Sequence, residues 1–430
     1  MLQGIRNWGA NLKHPGLVIY ALGLAVAVFV TLVVWPNQGA VTRYDDTYSF
    51  AAFGQGIAEG KGFVQVDHPE LPTMRRAPAY PTLIAALYLV TGPHTIVIRI
   101  FQCFLAAGTA LLAFDIGRRM FSKDVGLLAG VLCMFHPMVM RYVPDIQVEC
   151  LLTFFMTLMV WCGVRFVDKP SIKFGLAIGA AGAMGALVKG VLVVCPPIFG
   201  VYWLVRRWRR GEPLSLAALA PVAAIAVAMC VLILPWTARN YKASGGHFIL
   251  ISTNAGGEFL RGYVFAQPKY YLLRQPPYTD GENEANQMEV DLFQSKNLVW
   301  QRDEAETERV LSASAKEKLK AEPLAFLKKS ATGIFTFWYV LTSRPNSLLV
   351  LGCALAGWAL ALVAWRRARA EKRELWPLLL PILSLNLLYA SMLALGRYSA
   401  PTIPTLMVMA AAGIVTLLDR RTLSASAEAK

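Results

Sequence analysis

Charge is scarce in this 430-residue chain. Charged residues make up 16% of it and hydrophobic residues 56%, and the mean hydropathy is +0.47. Ordinary soluble proteins are about half apolar and about a quarter charged. The charges that are present occur in clusters, and long stretches of the chain carry none. These features exclude disordered, fibrous and small disulfide-rich proteins, and they indicate a polytopic membrane protein.

Cysteine and histidine do not occur in patterns that indicate a metal site or a redox site. All seven cysteines lie in or beside apolar runs, and no two have metal-ligand or redox-motif spacing. The five histidines are scattered, so the sequence offers no zinc site. We interpret the cysteines as small residues of the helix core.

Lysine and arginine outnumber aspartate and glutamate by 42 to 27, which gives a formal net charge of +15. In a soluble domain such a surplus would suggest nucleic-acid binding. Here the positive charges collect in short loops beside apolar spans, as they do on the cytoplasmic side of membrane proteins. We therefore expect membrane lipids and no nucleic acid as partners.

Ten apolar stretches are interpreted as membrane-spanning helices, because a bilayer core is crossed by about 20 apolar residues. The first lacks a clear small-x-small cleavage site, so we expect a retained anchor. The Lys/Arg clusters all fall on one side when ten helices are threaded, which predicts that both termini are cytoplasmic. The predicted spans are 17–35, 96–114, 125–141, 146–167, 174–188, 190–206, 216–236, 347–365, 376–395 and 400–418.

This threading leaves two long segments on the opposite face of the membrane. The first outer loop is residues 36–95, inside an N-terminal transmembrane module of residues 1–236. The second outer loop is residues 237–346, and C-terminal helices follow in residues 347–430. The predicted organisation is thus all-α, with ten transmembrane helices and two outer loops.

Two stretches of the outer loops are apolar enough to be mistaken for spans, residues 79–91 and 326–342. Counting residues 79–91 as a span would invert every later loop. We therefore predict a helix lying in or beside the membrane interface at each stretch. The acidic run from Asp280 to Glu308 is interpreted as a solvated helical face rather than a binding site.

The polar residues suited to chemistry lie at the outer ends of the helices. Transporters usually place charges near mid-membrane, whereas the helix interiors here are almost uncharged. Asp45 and Asp46 follow the first span, and the pattern from 47 to 58 is helical until Gly60 and Gly62 end it. A carboxylate at this position can face a surface site, but the residues alone favour Asp46 as the cap of the helix.

Several other charges lie near the predicted outer surface. Arg75 and Arg76 precede an interfacial helix, where guanidinium groups can hold a phosphate or simply attract anionic headgroups. Arg99, Glu149 and Lys189 lie near the outer ends of spans. A charge at that depth is costly unless it is paired or reaches the interface, so each is a candidate for function.

Two further stretches lie at outer helix ends. One presents Trp236, Arg239 and Asn240 as the chain leaves the membrane, and the other places Arg397 and Tyr398 between the last two spans. Their spacing alone assigns no chemistry to them.

In order and spacing, these stretches resemble the GT-C superfamily of integral-membrane glycosyltransferases, above all bacterial relatives of protein O-mannosyltransferases and of the lipid A aminoarabinose transferase. The resemblance extends over about residues 40–415, and Phe50 stands where the family usually has Tyr. The residues that carry it are Asp46, Phe50, Gly60, Gly62, Phe63, Arg76, Pro78, Tyr80, Pro81, Arg99, Gln102, Glu149, Lys189, Trp236, Arg239, Asn240, Asn254, Gly256, Gly257, Arg397, Tyr398 and Pro401.

The resemblance implies inverting transfer of a sugar from a polyprenyl-phosphate donor to an acceptor hydroxyl, on the periplasmic face of a bacterial inner membrane. Attack on the anomeric carbon needs a general base, which the resemblance assigns to Asp46, with Asp45 one residue out of register. The departing phosphate gains charge, so cations should stabilise it; the candidates are Arg76, Arg99, Lys189 and Arg397. Substrate contacts are implied for Tyr80, Glu149, Arg239, Asn240, Asn254 and Tyr398.

The size of the second outer loop favours a single sugar, because it leaves no room for the large soluble domain of oligosaccharyltransferases. A divalent metal bound by Asp45, Asp46 and Glu149 stays an open alternative, and so does the acceptor, which is a protein, a lipid or a glycan. Two other functions compete: a carrier that moves lipid-linked sugar without chemistry, and a ligase that moves a whole polymer onto a lipid.

Overall fold

The described part of the chain is helical. The structure, a computed structural model, describes residues 12–36, 46–213, 215–271, 278–300 and 302–428. Within these ranges there is no β-strand, only one isolated bridge between Val64 and Pro72. The predicted all-α fold is confirmed.

The helices follow one another with short connections except in the two outer loops. The α-helices are α1 (Pro15–Phe29), α2 (Asp46–Ala58), α3 (Ala79–Thr91), α4 (Thr95–Met120), α5 (Lys123–Phe135), α6 (Val148–Asp168), α7 (Ile172–Val188), α8 (Cys195–Arg209), α9 (Leu216–Ala243), α10 (Ala255–Phe265), α11 (Tyr278–Ser295), α12 (Glu304–Ala321), α13 (Pro323–Thr336), α14 (Arg344–Ala370), α15 (Trp376–Ser391) and α16 (Ile403–Glu428). Shorter segments are the π-helical Val30–Val34, the turns Pro137–Met140 and Pro268–Tyr271, and the 3₁₀ segments Gly190–Val194 and Gly396–Thr402.

Every predicted span coincides with helix, and the chain is a multi-pass membrane protein. Seven helical stretches within the described ranges are long and apolar enough to cross a membrane, and each matches a predicted span. The other three predicted spans fall on the shorter helices α5, α7 and α15. The predicted span 125–141 is divided because α5 ends before Pro137, which begins a separate turn.

The helices nearest the centre of the bundle are α6 and the final stretch Gly396–Asp419. Burial inside the protein reaches 72% of the apolar window of α6 and 83% of the final one, against 22% for the first span. Small residues let helices approach closely: a Cβ atom on Gly175 of α7 would lie 2.1 Å from the carbonyl oxygen of Pro221 in α9.

The second outer loop folds into α10 to α13 around a small core of its own, formed by Leu260, Phe293, Leu311 and Ala315. The acidic run in this loop is not a uniformly solvated face, so that interpretation needs correction. Glu304, at the start of α12, is only 5% exposed, because its carboxylate accepts hydrogen bonds from the first outer loop.

The helices predicted at 79–91 and 326–342 are present as α3 and α13, the latter beginning and ending earlier than predicted. Their depth relative to the membrane, the sides on which the termini lie and the division into an N-terminal module, an outer loop and C-terminal helices stay predictions.

Candidate active site

Two cavities meet where the membrane helices join the two outer loops. The apolar cavity, of about 370 Å³, lies among the ends of α6, α7 and α15 and is lined mainly by apolar side chains. The polar cavity, of about 610 Å³, lies between the first outer loop and helices α10 to α12. Seven residues line both cavities and form the junction between them: Arg75, Arg76, Asn254, Glu258, Leu393, Arg397 and Tyr398.

The apolar cavity contains a buried carboxylate and a cation. Glu149, in the first turn of α6, lies with its Oε1 atom 3.8 Å from Nζ of Lys189. Lys189 ends α7 in an extended conformation, and its Nζ lies 4.0 Å from the centroid of the Tyr398 ring. Glu149 and Lys189 are far apart in the sequence, and both were predicted to be site residues. The fold places them close together in the wall of the apolar cavity.

Two buried oxygen atoms in this cavity have no hydrogen-bond partner among the described residues. They are Oε2 of Glu149 and the hydroxyl of Tyr389, whose ring stacks on Tyr398 at 4.4 Å between centroids. Buried polar atoms are nearly always hydrogen-bonded, so exceptions need an explanation such as a ligand. Their position in a cavity indicates a ligand that carries polar groups.

Arg397 is held at the junction by the 3₁₀ segment Gly396–Thr402. Its Nη2 atom donates a hydrogen bond of 3.0 Å to the hydroxyl of Tyr398. The amide of Gly396 donates to the carbonyl oxygen of Val340 over 2.7 Å, which fixes the start of the segment. The positive charge of Arg397 therefore lines both cavities from a short segment whose start is fixed by a backbone hydrogen bond.

Two more cations reach the junction from the first outer loop. The Arg76 guanidinium lies 4.9 Å from the centroid of the Phe50 ring in α2, and that of Arg75 lies 4.2 Å from the Trp300 ring. Both arginines line both cavities. The predicted phosphate ligand Arg76 thus lies beside Arg397 and Lys189 around one space.

Arg239 and Asn254 orient the segment that carries these arginines. Arg239 donates 2.6 Å hydrogen bonds to the carbonyl oxygens of Thr73 and Phe63. Asn254 donates to the carbonyl oxygen of Arg75 over 3.1 Å. Asn254 also lines both cavities, whereas Arg239 lines neither of the two.

Glu304 supports the same segment and was not singled out from the sequence. Its carboxylate accepts hydrogen bonds from the Thr73 hydroxyl (3.0 Å), the Met74 amide (2.9 Å) and the Thr253 hydroxyl (2.9 Å). Burial raises the pKa of Glu304 above its usual value, while these hydrogen bonds lower it. The carboxylate therefore joins the two outer loops beside the arginines.

Asn240 is buried and lies outside the two cavities. Its side-chain nitrogen donates to the carbonyl oxygens of Ile249 (3.3 Å) and Ile251 (3.0 Å), and Trp236 donates to Ile251 over 2.8 Å. Ile251 itself lines the apolar cavity. The motif at the end of α9 therefore shapes the cavity wall through the backbone.

Arg99 and Tyr80 also lie away from the two cavities. The Tyr80 hydroxyl donates to Gln102 over 2.8 Å in a buried contact between α3 and α4. Arg99 donates hydrogen bonds of 2.7, 2.8 and 2.9 Å to the carbonyl oxygens of Thr31, Trp35 and Pro36. It thereby satisfies backbone acceptors at the end of the first span, where no helical partner exists.

The predicted catalytic aspartates are only partly within the described ranges. Asp45 lies outside them; Asp46 is the first residue of α2, and its side chain is also outside the described part. Asp46 begins α2 one turn before Phe50, which lines the apolar cavity. The predicted helix and its end are confirmed, since Gly60 and Gly62 have positive φ angles of 79° and 75°.

Glu258 is a second carboxylate at the junction that sequence reasoning missed. It lies in the first turn of α10 and lines both cavities, and its side chain makes no hydrogen bond or ion pair with another described residue. Burial raises its pKa above the usual value, and the positive charges of Lys189, Arg397 and Arg261 oppose that shift. Its position directly after the Asn254–Gly257 motif was the signal available in the sequence.

The part of the chain that the structure describes has no group of three or more His, Cys, Asp or Glu side chains that could bind a metal ion. Asp45 and the side chain of Asp46 fall outside it, so the metal site with Glu149 stays a prediction.

Comparison with known families finds a match over part of the chain. Residues 67–236, about two fifths of it, match a family model described as "Dolichyl-phosphate-mannose-protein mannosyltransferase". No curated protein matches the sequence.

Comparison with solved structures covers nearly the whole chain. The archaeal oligosaccharyltransferase AglB from Archaeoglobus fulgidus, in complex with an inhibitory peptide and a dolichol-phosphate, aligns with a TM-score of 0.55 at 13% identity, over 97% of this chain and 52% of AglB. The same oligosaccharyltransferase tethered with an acceptor peptide gives 0.55 and 13% over 96% and 50%. ArnT from Cupriavidus metallidurans, bound to undecaprenyl phosphate, gives 0.43 and 16% over 93% and 78%.

The chain therefore spans about half the length of AglB and has the same fold. Together with the family match, this confirms the resemblance to GT-C glycosyltransferases that the motifs predicted.

Proposed function

We propose that this chain, which has the GT-C fold, is a glycosyltransferase that moves a single sugar from a polyprenyl-phosphate donor to an acceptor hydroxyl at the outer face of the membrane. The observation that carries the proposal is the meeting of an apolar and a polar cavity at a shared wall of arginines. A lipid-linked donor needs apolar surface for its chain and cations for its phosphate, whereas an acceptor approaches from water.

The donor phosphate binds between Arg76, Lys189 and Arg397. All three line the apolar cavity, and charge-assisted hydrogen bonds to phosphate are among the stronger ones in proteins. The unpartnered oxygens of Glu149 and Tyr389 would bind hydroxyls of the sugar. We assign Arg99, Tyr80, Arg239 and Asn240 to positioning of the backbone rather than to substrate contact, because their side chains bond elsewhere.

Transfer is a single displacement at the anomeric carbon. The acceptor hydroxyl gives its proton to the Asp46 carboxylate while its oxygen bonds to that carbon. The bond from the carbon to the phosphate oxygen breaks, and its electron pair leaves on the phosphate, where the three cations stabilise the developing charge. Acceptor and phosphate then lie on opposite sides of the sugar, so the configuration inverts; Asp45 is the alternative base.

The acceptor binds in the polar cavity, with its hydroxyl at the junction. Glu258 faces this space without a partner among the described residues and is suited to accept a hydrogen bond from the hydroxyl. The AglB structures hold an inhibitory or an acceptor peptide together with the same fold, which supports an acceptor site in this chain. A protein, a lipid or a glycan acceptor fits this account.

Two features favour a single sugar. Within its described residues the second outer loop forms the helices α10 to α13 and the short segment Pro268–Tyr271, and the apolar cavity of about 370 Å³ is near the lower end of the range for small-ligand pockets. We place the enzyme in the bacterial inner membrane, with both termini cytoplasmic and the junction facing the periplasm. The Lys/Arg clusters between the predicted spans support this orientation.

The test is sugar release from a panel of labelled polyprenyl-phosphate sugars by the purified protein, with membrane extract as acceptor. We expect wild type to transfer one of these sugars, and Asp46→Asn to lose at least 100-fold in rate, as loss of a general base does. Binding of polyprenyl phosphate should stay unchanged in the variant, which shows that it is folded.

Full activity of Asp46→Asn would overturn the assignment of the base. If wild type releases no sugar but lipid-linked sugar crosses vesicles that contain the protein, the carrier function is correct instead.

A further inference from the structure

Lys329 is a buried lysine that the proposed reaction does not use. It lies on α13, is only 3% exposed, and donates hydrogen bonds to three carbonyl oxygens: those of Ser391 (2.8 Å), Met392 (3.2 Å) and Phe259 (3.3 Å). Its Nζ also lies 4.0 Å from the centroid of the Phe259 ring. No carboxylate in the described part of the chain pairs with it.

The three carbonyl groups belong to the two sides of the junction. Phe259 follows Glu258 on α10, whereas Ser391 and Met392 end α15 and lead to Arg397. A lysine that bonds the last carbonyls of a helix satisfies acceptors that have no helical partner. Lys329 is therefore a direct bridge between the helix that carries Glu258 and the segment that carries Arg397.

Two glycines allow these elements to come close enough for one side chain to bridge them. A Cβ atom on Gly262 of α10 would lie 1.8 Å from the carbonyl oxygen of Met392 and 3.1 Å from Nζ of Lys329. A Cβ atom on Gly333 of α13 would lie 2.7 Å from Cα of Ala390. Any larger residue at either position would push the elements apart.

Helix α13 is tied to the same segment at further points along its length. The Thr336 hydroxyl donates to the carbonyl oxygen of Ala394 over 3.1 Å, and Asn386 of α15 donates to that of Ile334 over 3.1 Å. An apolar side chain as long as lysine would fill the same space without the cost of burying a charge. The hydrogen bonds are therefore the feature that distinguishes lysine here.

We propose that Lys329 is a positioning residue that holds Glu258 and Arg397 at their working separation across the junction. The inference rests on the proposed glycosyl transfer, since it concerns the placement of groups that act on acceptor and donor. It also predicts that the placement depends on the charge of Lys329, because only the ammonium form can donate all three hydrogen bonds.

Charge at this position changes near neutral pH. Burial lowers the pKa of Lys329 to about 7. The ionisable group beside it is Tyr263 on α10, whose ring centroid lies 4.7 Å from the Lys329 Nζ. Lys318 on α12 lies with its Nζ 4.9 Å from the same ring, and burial and the charge of Glu322, just before α13, raise the pKa of Tyr263. The ammonium form is present below the folded pKa and is lost as pH rises through it, so the positioned junction is lost in the same direction.

The experiment compares Lys329→Met and Lys329→Arg with Lys328→Met, a matched control because Lys328 is the exposed neighbour on the same helix. For each protein we measure polyprenyl-phosphate binding, kcat and the acceptor KM between pH 6 and 9. We expect Lys328→Met to behave as wild type. Lys329→Met should lose at least tenfold in kcat at pH 6.5 and bind polyprenyl phosphate more weakly, because Arg397 is one of the phosphate ligands.

The pH profile separates positioning from simple packing. Wild type and Lys328→Met should lose rate as pH rises through about 7, and Lys329→Met should lack this fall. Lys329→Arg, which stays charged, should keep part of the rate and shift the fall to higher pH. If Lys329→Met does not fold, the pH profiles of wild type and Lys329→Arg test the inference instead. The rate of wild type should fall as pH rises through about 7, and the fall should lie at higher pH in Lys329→Arg.

Two results would overturn the inference: equal kcat for Lys329→Met and Lys328→Met, or a wild-type profile without a fall near pH 7. Each of them leaves the proposed function standing if wild type transfers sugar. A wild type that transfers no sugar would remove the proposed function and this inference together.

Discussion

The apolar and polar cavities differ in whether their polar side chains are paired within the protein. In the apolar cavity, Oε2 of Glu149 and the Tyr389 hydroxyl are buried without a partner among the described residues. In the polar cavity, Arg261 binds Glu282 over 2.7 Å and Glu289 over 2.8 Å, so these charges are paired within the protein. The donor side thus has buried polar atoms available for a ligand, whereas on the acceptor side the charges of these three residues are already paired with each other.

The largest effect should come from Lys189→Met, which removes a cation from the donor side and leaves Glu149 buried without its partner. We expect kcat/KM for the donor to fall about 100-fold, as for loss of one preorganised charge at a transition state, with the acceptor KM unchanged. Steady-state kinetics with each substrate varied in turn would measure this. Lys173→Met, at the exposed start of the same helix, is the control, and an equal loss there would contradict the assignment of donor and acceptor sides.

A smaller effect is expected from Glu304→Ala, which removes the acceptor of three hydrogen bonds, two of them from the first outer loop. Leaving those buried donors unpaired should cost about 1–3 kcal/mol of unfolding free energy, measured by thermal denaturation in detergent. Activity should fall about tenfold, because Arg75 and Arg76 lose their support. Glu317→Ala, exposed on the same helix, should change neither quantity; if both variants behave alike, Glu304 does not hold the loops together.

The smallest effect should come from Trp300→Ala in the polar cavity. The indole lies against Arg75 and lines the polar cavity but not the apolar one, so only the acceptor KM should rise, by about threefold. Trp208→Ala, at an exposed position on α8, serves as the control. A rise in the donor KM instead would contradict the assignment of the donor to the apolar cavity and of the acceptor to the polar cavity.

The sequence alone predicted the helices and much of the wall around the junction. Apolar length located every span, and the motifs identified Arg76, Glu149, Lys189, Asn254, Arg397 and Tyr398, which line one or both cavities. Arg99 was predicted to bind phosphate, but its guanidinium bonds carbonyl oxygens of the first span. A sequence shows that a buried arginine needs acceptors, not which acceptors the fold supplies.

The sequence predicted burial least accurately in the second outer loop, because burial there depends on contacts between distant parts of the chain. Glu304 looked like one more charge on a solvated helix, yet it is buried by Thr73 and Met74 of the first outer loop. Glu258 and Lys329 likewise gain their surroundings only when α10, α13 and α15 pack together. The local periodicity of a sequence does not reveal such contacts between helices.

The central claim is that donor and acceptor meet at the junction, with the phosphate between Arg76, Lys189 and Arg397. The most direct test is an electron cryo-microscopy map of the protein with bound polyprenyl phosphate. We predict density for the phosphate within hydrogen-bonding distance of these three side chains, and for the polyprenyl chain in the apolar cavity. Phosphate density at Arg99, or at the Arg-rich ends of α8 and α14, would contradict the account.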